Sequence, residues 1–332
     1  MRHTFHCLDG HTCGNPVRVI TGAVPELRGA TMSEKRLDFI ENHDWIRRAL
    51  MFEPRGHDMM SGAILYPPLT EEADASILFL ETSGVLPMCG HGTIGTITMA
   101  VENGFIRPKD RSQVVLDAPA GQIRAQLEWD GDHVASVRIF NVASYLAARD
   151  VELHVPEVGR LVIDVAFGGN FYAIVEPQPG FAGIDAVGVD WLLAQSPRVR
   201  AAANAALEMV HPEDPSIRGF RHVLWADKPG HPDAHARNAV FYGERAIDRS
   251  PCGTGTSARM AQLHGRGRLQ PGEEFVHESI IGSLFHGRIE EKARVGAFGG
   301  IRPSIQGWAV QTGVNTIYVD DRDPFKHGFV VA

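Results

Sequence analysis

Apolar positions along this chain come in short runs, cut by glycine and proline roughly every ten residues. The runs are Pro16–Ile20, Ser76–Leu80, Val114–Leu116, Val137–Phe140, Leu161–Val165, Phe171–Val175 and Ala239–Tyr242, and most are β-branched. Runs of that length and composition between turn residues predict many short strands. Two stretches follow a helical pattern instead. One is 33–50, with Ser33 as N-cap and Leu37, Ile40 and Ile46 on an apolar face; the other is the alanine-rich 190–207. The pattern predicts a mixed α and β chain with more strand than helix.

The chain contains a diverged copy of itself. Gly14-Asn15-Pro16-Val17-Arg18-Val19-Ile20 returns in outline as Gly169-Asn170-Phe171-Tyr172-Ala173-Ile174-Val175, at an offset of 169 − 14 = 155. Cys89-Gly90-His91-Gly92-Thr93 returns as Cys252-Gly253-Thr254-Gly255-Thr256, at an offset of 252 − 89 = 163. Both offsets are near half of the 332 residues, and the order is kept. This predicts two pseudo-symmetric halves, 1–150 carrying Cys89 and 151–332 carrying Cys252, with the last ~20–30 residues returning to the first half.

Each cysteine follows a proline-containing turn and opens a Gly/Thr-rich stretch that stops at a glycine, Gly104 or Gly265. The predicted unit is turn, cysteine, buried helix, the first helix being apolar nearly all round (Ile94, Ile97, Met99, Val101). A cysteine at a helix N-terminus has its thiolate favoured by the dipole, and the first-turn N–H groups suit an anion such as a carboxylate. Two such units in one cleft would hold a carboxylate and set one sulfur on either side of the adjacent carbon. That is an arrangement for moving a proton from one face of a carbon to the other, one sulfur as thiolate and one as thiol. Singly, each motif has a plain reading, since glycine-rich turns before helices are common and free cysteines are usually inert core residues. The repetition is what favours chemistry.

The motifs Met88-Cys89-Gly90-His91-Gly92 and Asp248-Arg249-Ser250-Pro251-Cys252-Gly253-Thr254-Gly255-Thr256 resemble the paired motifs of the proline racemase family. So do 9–18, which opens Asp9-Gly10-His11-Thr12, Glu53-Pro54-Arg55-Gly56-His57-Asp58, and Phe167-Gly168-Gly169-Asn170-Phe171, so the likeness spans nearly the whole chain. The resemblance implies an α/β (α+β) fold like that of diaminopimelate epimerase, with each half wrapping a mainly antiparallel sheet around a central helix. It implies a cofactor-free, two-base isomerase acting in the cleft between the halves, and a homodimer. Family dehydratases carry threonine in place of the second cysteine, so Cys252 indicates racemisation or epimerisation. Ser61 stands where proline racemases often have a large aromatic, and His222 matches a histidine beside the substrate in hydroxyproline epimerases. These favour epimerisation of trans-4-hydroxy-L-proline to cis-4-hydroxy-D-proline over proline racemisation, because a serine offers a ring hydroxyl room and a partner.

Roles follow by position. Cys89 and Cys252 are the expected acid/base pair; Gly90, His91, Gly253 and Thr254 would offer N–H groups to the carboxylate. Asp248 would receive the ring ammonium, or else serve the turn before Pro251. His91 would take the Cys89 proton or shape the loop. A non-enzymatic carboxylate-binding or redox-sensing protein is the alternative of a different class.

Composition narrows the field further. The net charge of −8, from 32 basic and 40 acidic residues, argues against a nucleic-acid surface but not against a small anionic ligand. Four cysteines (Cys7, Cys13, Cys89, Cys252) do not make a disulfide scaffold in a chain this long. Cys7, His11 and Cys13 hint at a metal, with Cys7 and Cys13 on one face of a strand, but no second ligand pair has zinc spacing, so no metal is expected. His57-Asp58 reads as loop structure. The N-terminus lacks a signal-like apolar core, and no run approaches the roughly 18 apolar residues of a spanning helix. A cytoplasmic protein away from membranes, with reduced thiols, is expected.

Overall fold

A computed structural model describes residues 1–331 and divides them into two compact units. The first is Met1–Ile139 together with the segment from Gly307; the second is Phe140–Gln306. The predicted boundary was near 150.

In the first unit, strands Arg2–Thr12 and Asn15–Gly22 form an antiparallel hairpin. Asn15–Gly22 runs parallel to Ser61–Tyr66, which pairs antiparallel with Ala75–Glu81. That strand is parallel to Gln113–Ala118, itself antiparallel to Gly121–Asp130. The free side of Arg2–Thr12 is taken by Ala309–Asp320, antiparallel. Three helices complete the unit: α1 (Met32–Asn42), α2 (Asp44–Met51) and α3 (Gly90–Glu102). Helix α3 is wrapped by Arg2–Thr12, Asn15–Gly22, Ser61–Tyr66 and Ala309–Asp320. It is buried from Gly90 to Ala100, as an apolar helix inside a curved sheet must be. The remaining core lies on the other face of the sheet, where Phe39 and Leu50 of α1 and α2 cover Phe5, Ile20, Leu78 and Leu80.

The second unit repeats this pairing step for step. Strand Gly159–Phe167 is antiparallel to Phe171–Val175, which is parallel to Phe220–Asp227. Antiparallel pairing to Ala236–Tyr242, parallel pairing to Glu274–Glu278 and antiparallel pairing to Leu284–Val295 follow. The free side of Gly159–Phe167 is taken by Ser144–Val155. Helix α5 (Gly253–Gly265) occupies the centre and α4 (Ile184–Ala206) the outer face, over a core of Phe167, Phe171, Phe181, Trp225 and Phe241. The duplication is therefore one of topology, and the sheet of each unit is mainly antiparallel around one central helix.

Local differences from the predicted elements have physical causes. The helix expected over 33–50 is two helices with a break at His43. Its N-cap is Thr31, not Ser33: the Thr31 hydroxyl accepts the Glu34 N–H while the Glu34 carboxylate takes the Thr31 N–H, a reciprocal box that Ser33 cannot make. The break rotates the apolar face, leaving Leu37 48% and Ile40 40% exposed and Ile46 buried. Helix α4 begins at Ile184, six residues before the predicted start, with a kink at Gly188 (φ 76°). Both central helices end in the same way: the residue after the C-cap is a left-handed glycine, Gly104 (φ 71°) or Gly267 (φ 72°). Its N–H and the next close on Val101 and Ala100, or on His264 and Leu263, as a Schellman motif does. Gly265, the predicted stop, is instead the last helical residue; a Cβ there would meet Leu146 at 2.7 Å. Among the described residues no helix is long and apolar enough to cross a membrane.

Candidate active site

In the first unit, Cys89 leaves the turn after Pro87 in an extended conformation (φ −142°, ψ 109°) and caps α3. Its carbonyl accepts the Thr93 N–H at 2.9 Å and the Thr93 hydroxyl at 2.8 Å. The Cys89 side chain makes no capping hydrogen bond and no acid sits in the first turn. Small residues make the close packing possible. A Cβ at Gly92 would stand 3.0 Å from the Cys89 sulfur, and one at Gly95 would stand 2.7 Å from Thr12 Oγ1. The Thr12 hydroxyl in turn donates to the His91 carbonyl at 2.8 Å, which fixes the turn against the sheet.

The His91 ring lies against the sulfur, Nδ1 at 3.6 Å and Nε2 at 3.9 Å. Nε2 is also 3.1 Å from the buried amide nitrogen of Asn15. An amide donating to Nε2 leaves the ring proton on Nδ1, the nearer nitrogen to sulfur. In that tautomer Nδ1 faces the Cys89 sulfur as a donor.

The second unit builds the same object with other residues. Cys252 caps α5, again with no side-chain cap and no acid in the first turn. Its backbone is left-handed (φ 64°, ψ 107°), a strained setting for a residue with a Cβ and one often found at functional sites. The strain is held by a chain of bonds: Asp248 Oδ1 accepts the Ser250 N–H and hydroxyl, both at 2.8 Å, and Ser250 Oγ accepts the Cys252 N–H at 3.2 Å. Behind it, the Pro251 carbonyl accepts from Asn238 Nδ2 at 2.8 Å and from the Thr256 hydroxyl at 3.2 Å. His277 Nδ1 lies 2.9 Å from Thr256 Oγ1; full burial, with the Arg259 charge adding, holds its pKa well below the usual histidine range, so the ring is neutral. A Cβ at Gly255 would stand 3.0 Å from the Cys252 sulfur, matching Gly92 in the first unit.

Here the ring against the sulfur is a phenol. Tyr172 Oη lies 3.3 Å from Cys252 Sγ and 2.5 Å from Thr254 Oγ1, and its ring stacks on His222 with centroids 5.0 Å apart.

Register relates two further candidates. Across the parallel pair of each unit, Val17 faces Ser61 and Tyr172 faces His222. At the offset of 155, Tyr172 is the repeat of Val17, so Ser61 and His222 occupy equivalent places. Both are buried, and the Ser61 hydroxyl has no hydrogen-bond partner among the described residues. A buried unpaired hydroxyl is costly unless water or a ligand answers it.

Each unit thus carries its own candidates: Cys89, Gly90, His91 and Ser61 in the first, Cys252, Gly253, Thr254, His222 and Asp248 in the second. Asp248 does serve the turn before Pro251, through Oδ1. Sequence reasoning missed Asn15 and Tyr172. The Gly-Asn repeat pointed to the right strand in both halves, but Val17 against Tyr172 gave no sign of a shared part.

The remaining cysteines are explained by packing. Cys7 is buried in the first unit's core and burial pushes its thiol up to about 12, against the opposing charge of Arg18. Cys13 does not share a strand face with it: the strand ends at Thr12 and Cys13 is a left-handed turn residue (φ 47°) whose N–H donates to the Trp308 carbonyl at 3.1 Å. His11 Nδ1 accepts the Gly14 N–H in the same turn. No group of three or more His, Cys, Asp or Glu side chains among the described residues is placed to hold a metal ion.

Comparison with known proteins adds independent findings. The family model described as proline racemase matches residues 7–330. A 4-hydroxyproline 2-epimerase of Brucella suis biovar 1 is 59% identical over 331 residues, covering 100% of this chain and 99% of the relative. The crystal structure of a hydroxyproline epimerase from Agrobacterium vitis, with bound trans-4-hydroxy-L-proline, superposes with a TM-score of 0.91 at 29% identity, over 99% of this chain and 95% of that one. That of a protein described as a probable proline racemase from Agrobacterium radiobacter K84, with bound carbonate, gives 0.92 at 31% identity, over 98% and 96%.

Proposed function

We propose that this chain, which belongs to the proline racemase family, converts trans-4-hydroxy-L-proline to cis-4-hydroxy-D-proline through two cysteines. That it is an amino-acid epimerase, an isomerase, follows from the family and from the relatives. The observation that carries the mechanism is the twofold recurrence of one local design. A buried cysteine stands at the N-cap of an acid-free helix start without its side chain capping it, a glycine three residues on clears its sulfur, and a polar ring lies beside it.

The chemistry needs nothing beyond these groups. One cysteine, as thiolate, removes the α-proton; the other, as thiol, gives its proton to the opposite face. The S–H bond formed replaces the S–H bond broken, so the protein ends with its protons exchanged between the two sulfurs and is ready for the reverse reaction. The first-turn N–H groups of Gly90, His91, Gly253 and Thr254 receive the carboxylate, whose charge grows as the carbanion forms. Asp248 receives the ring ammonium. Ser61, whose hydroxyl lacks a partner among the described residues, and His222 answer the ring hydroxyl. Because the nucleophilic form is the thiolate, the activity belongs to a reducing environment.

Proton exchange with solvent tests this directly. Incubated with trans-4-hydroxy-L-proline in heavy water, the protein should place deuterium at the α-carbon of the product, and Cys89→Ser or Cys252→Ser should each lose nearly all turnover. Retained turnover in either variant sinks the two-thiol scheme. A second reading, proline racemisation, draws on the naming of the Agrobacterium radiobacter neighbour. Polarimetry on L-proline and trans-4-hydroxy-L-proline side by side decides between the substrates, the second being expected to turn over faster.

A further inference from the structure

The two sulfurs keep a polar ring by exchanging the positions that supply it. In the first unit the residue two after the cysteine is His91 and the strand position is Val17. In the second unit the residue two after the cysteine is Thr254 and the strand position is Tyr172. The outcome is alike, with His91 Nδ1 3.6 Å from one sulfur and Tyr172 Oη 3.3 Å from the other. An aromatic filling space would not need its hydroxyl there. Nor would a buried phenol pair at 2.5 Å with a threonine whose own oxygen is 4.0 Å from the same sulfur.

We infer that Tyr172 and Thr254 form a reversible hydroxyl relay that adjusts to the protonation state of Cys252. With Cys252 as thiol, S–H donates to the phenol oxygen and the phenol O–H donates to Thr254 Oγ1. With Cys252 as thiolate, the Thr254 O–H donates to the phenol oxygen and the phenol O–H donates to sulfur. Only two O–H rotations separate the states and no proton leaves either hydroxyl, so the relay serves Cys252 as base in one direction and as acid in the other. The relay presupposes the role proposed above for Cys252.

Other titratable groups around this sulfur are fixed in other ways. His222, from Phe220–Asp227, stacks on the Tyr172 ring; Asp248, from the preceding loop, is engaged by Ser250. His277, from Glu274–Glu278, is bonded behind the helix to Thr256, and on α5 itself Arg259 is paired with Glu176.

The test measures the pH dependence of iodoacetamide alkylation at Cys252, read by mass spectrometry of the peptide that carries it, in the full-length protein. Tyr172→Phe removes one hydroxyl from a buried site and keeps the ring and its stack. A charge-assisted hydrogen bond lost from the thiolate should raise the midpoint by about one pH unit, about tenfold less thiolate below it. Thr254→Val removes the hydroxyl that competes with the sulfur for the phenol and keeps the phenol beside the sulfur, so its midpoint should stay or fall. An unchanged midpoint in Tyr172→Phe, or a rise of equal size in Thr254→Val, overturns the relay. Absence of Cys252 labelling from about pH 6 to about pH 10 overturns it too. The parent reading fails separately, on turnover by Cys252→Ser.

Discussion

Cysteine behaves in two ways here, and its surroundings account for the difference. Cys89 and Cys252 stand at helix ends beside polar rings. Cys7 is walled in by apolar side chains that penalise its charge. With its pKa raised from 9.0 to about 12, folded Cys7 keeps its proton over a pH range in which the unfolded chain releases it. Its contribution to stability is thus intact below pH 9 and falls as pH rises from there toward 12. Urea unfolding at pH 8 and pH 10 should show wild type losing more stability than Cys7→Val across that step, by on the order of 1 kcal/mol. Equal losses would place the thiol in a wetter site. The cysteine pair was legible in the sequence because the motif occurs twice. Tyr172 was not, because an internal repeat reveals like residues at like positions, and this ring moved from a loop-side position to a strand.

At the scale of elements, the sequence announced short, evenly punctuated strands such as Phe171–Val175 and Ala75–Glu81 well. The long strands Leu284–Val295 and Ala309–Asp320 went unread, and Arg2–Thr12 was read only as a strand-like stretch around Cys7. In Leu284–Val295 the exposed positions are charged or polar, which dilutes the apolar signal; in Ala309–Asp320 apolar Val310, Val314 and Tyr318 are themselves exposed among polar neighbours, so no clean alternation shows. The break at His43 was missed for a related reason: helical spacing persists through it while the hydrogen bonds do not. The helix starts, by contrast, allow a sharp expectation. Gly255→Ala places a methyl 3.0 Å from the Cys252 sulfur in a helix that alanine otherwise favours by about 1 kcal/mol. Thermal unfolding should move little, while kcat falls about tenfold or more as the sulfur is displaced. An unchanged kcat would mean that the sulfur has room to spare, and Gly92→Ala repeats the test at Cys89.

For the whole molecule, duplication was visible in sequence, and the last ~20–30 residues were expected to return to the first half. The pairing by which Ala309–Asp320 completes the first sheet, as Ser144–Val155 completes the second, was not visible. The residues that follow are stapled down by Arg55. Its guanidinium donates to the carbonyls of Ala49 (2.8 Å), Phe325 (2.8 Å) and Lys326 (2.7 Å) and pairs with Asp323, while its own carbonyl accepts from Arg18 at 2.6 Å. Arg55→Met should cost about 2 kcal/mol and free the tail first, with amide exchange at Gly328 and Phe329 rising before that of α3. Uniform exchange across the first unit would show the staple to be redundant.

The placement of Ala309–Asp320 also governs the order in which the protein can be made. A ribosome delivers Ile139 about 170 residues before Ala309, roughly ten to thirty seconds at ordinary elongation rates. Throughout that interval the nascent first unit lacks the strand that covers Arg2–Thr12, whereas the second unit is contiguous and can finish as soon as Gln306 emerges. The half encoded later is therefore the one able to mature earlier, and the opening strand waits with one edge bare, a period in which a chaperone would be of most use.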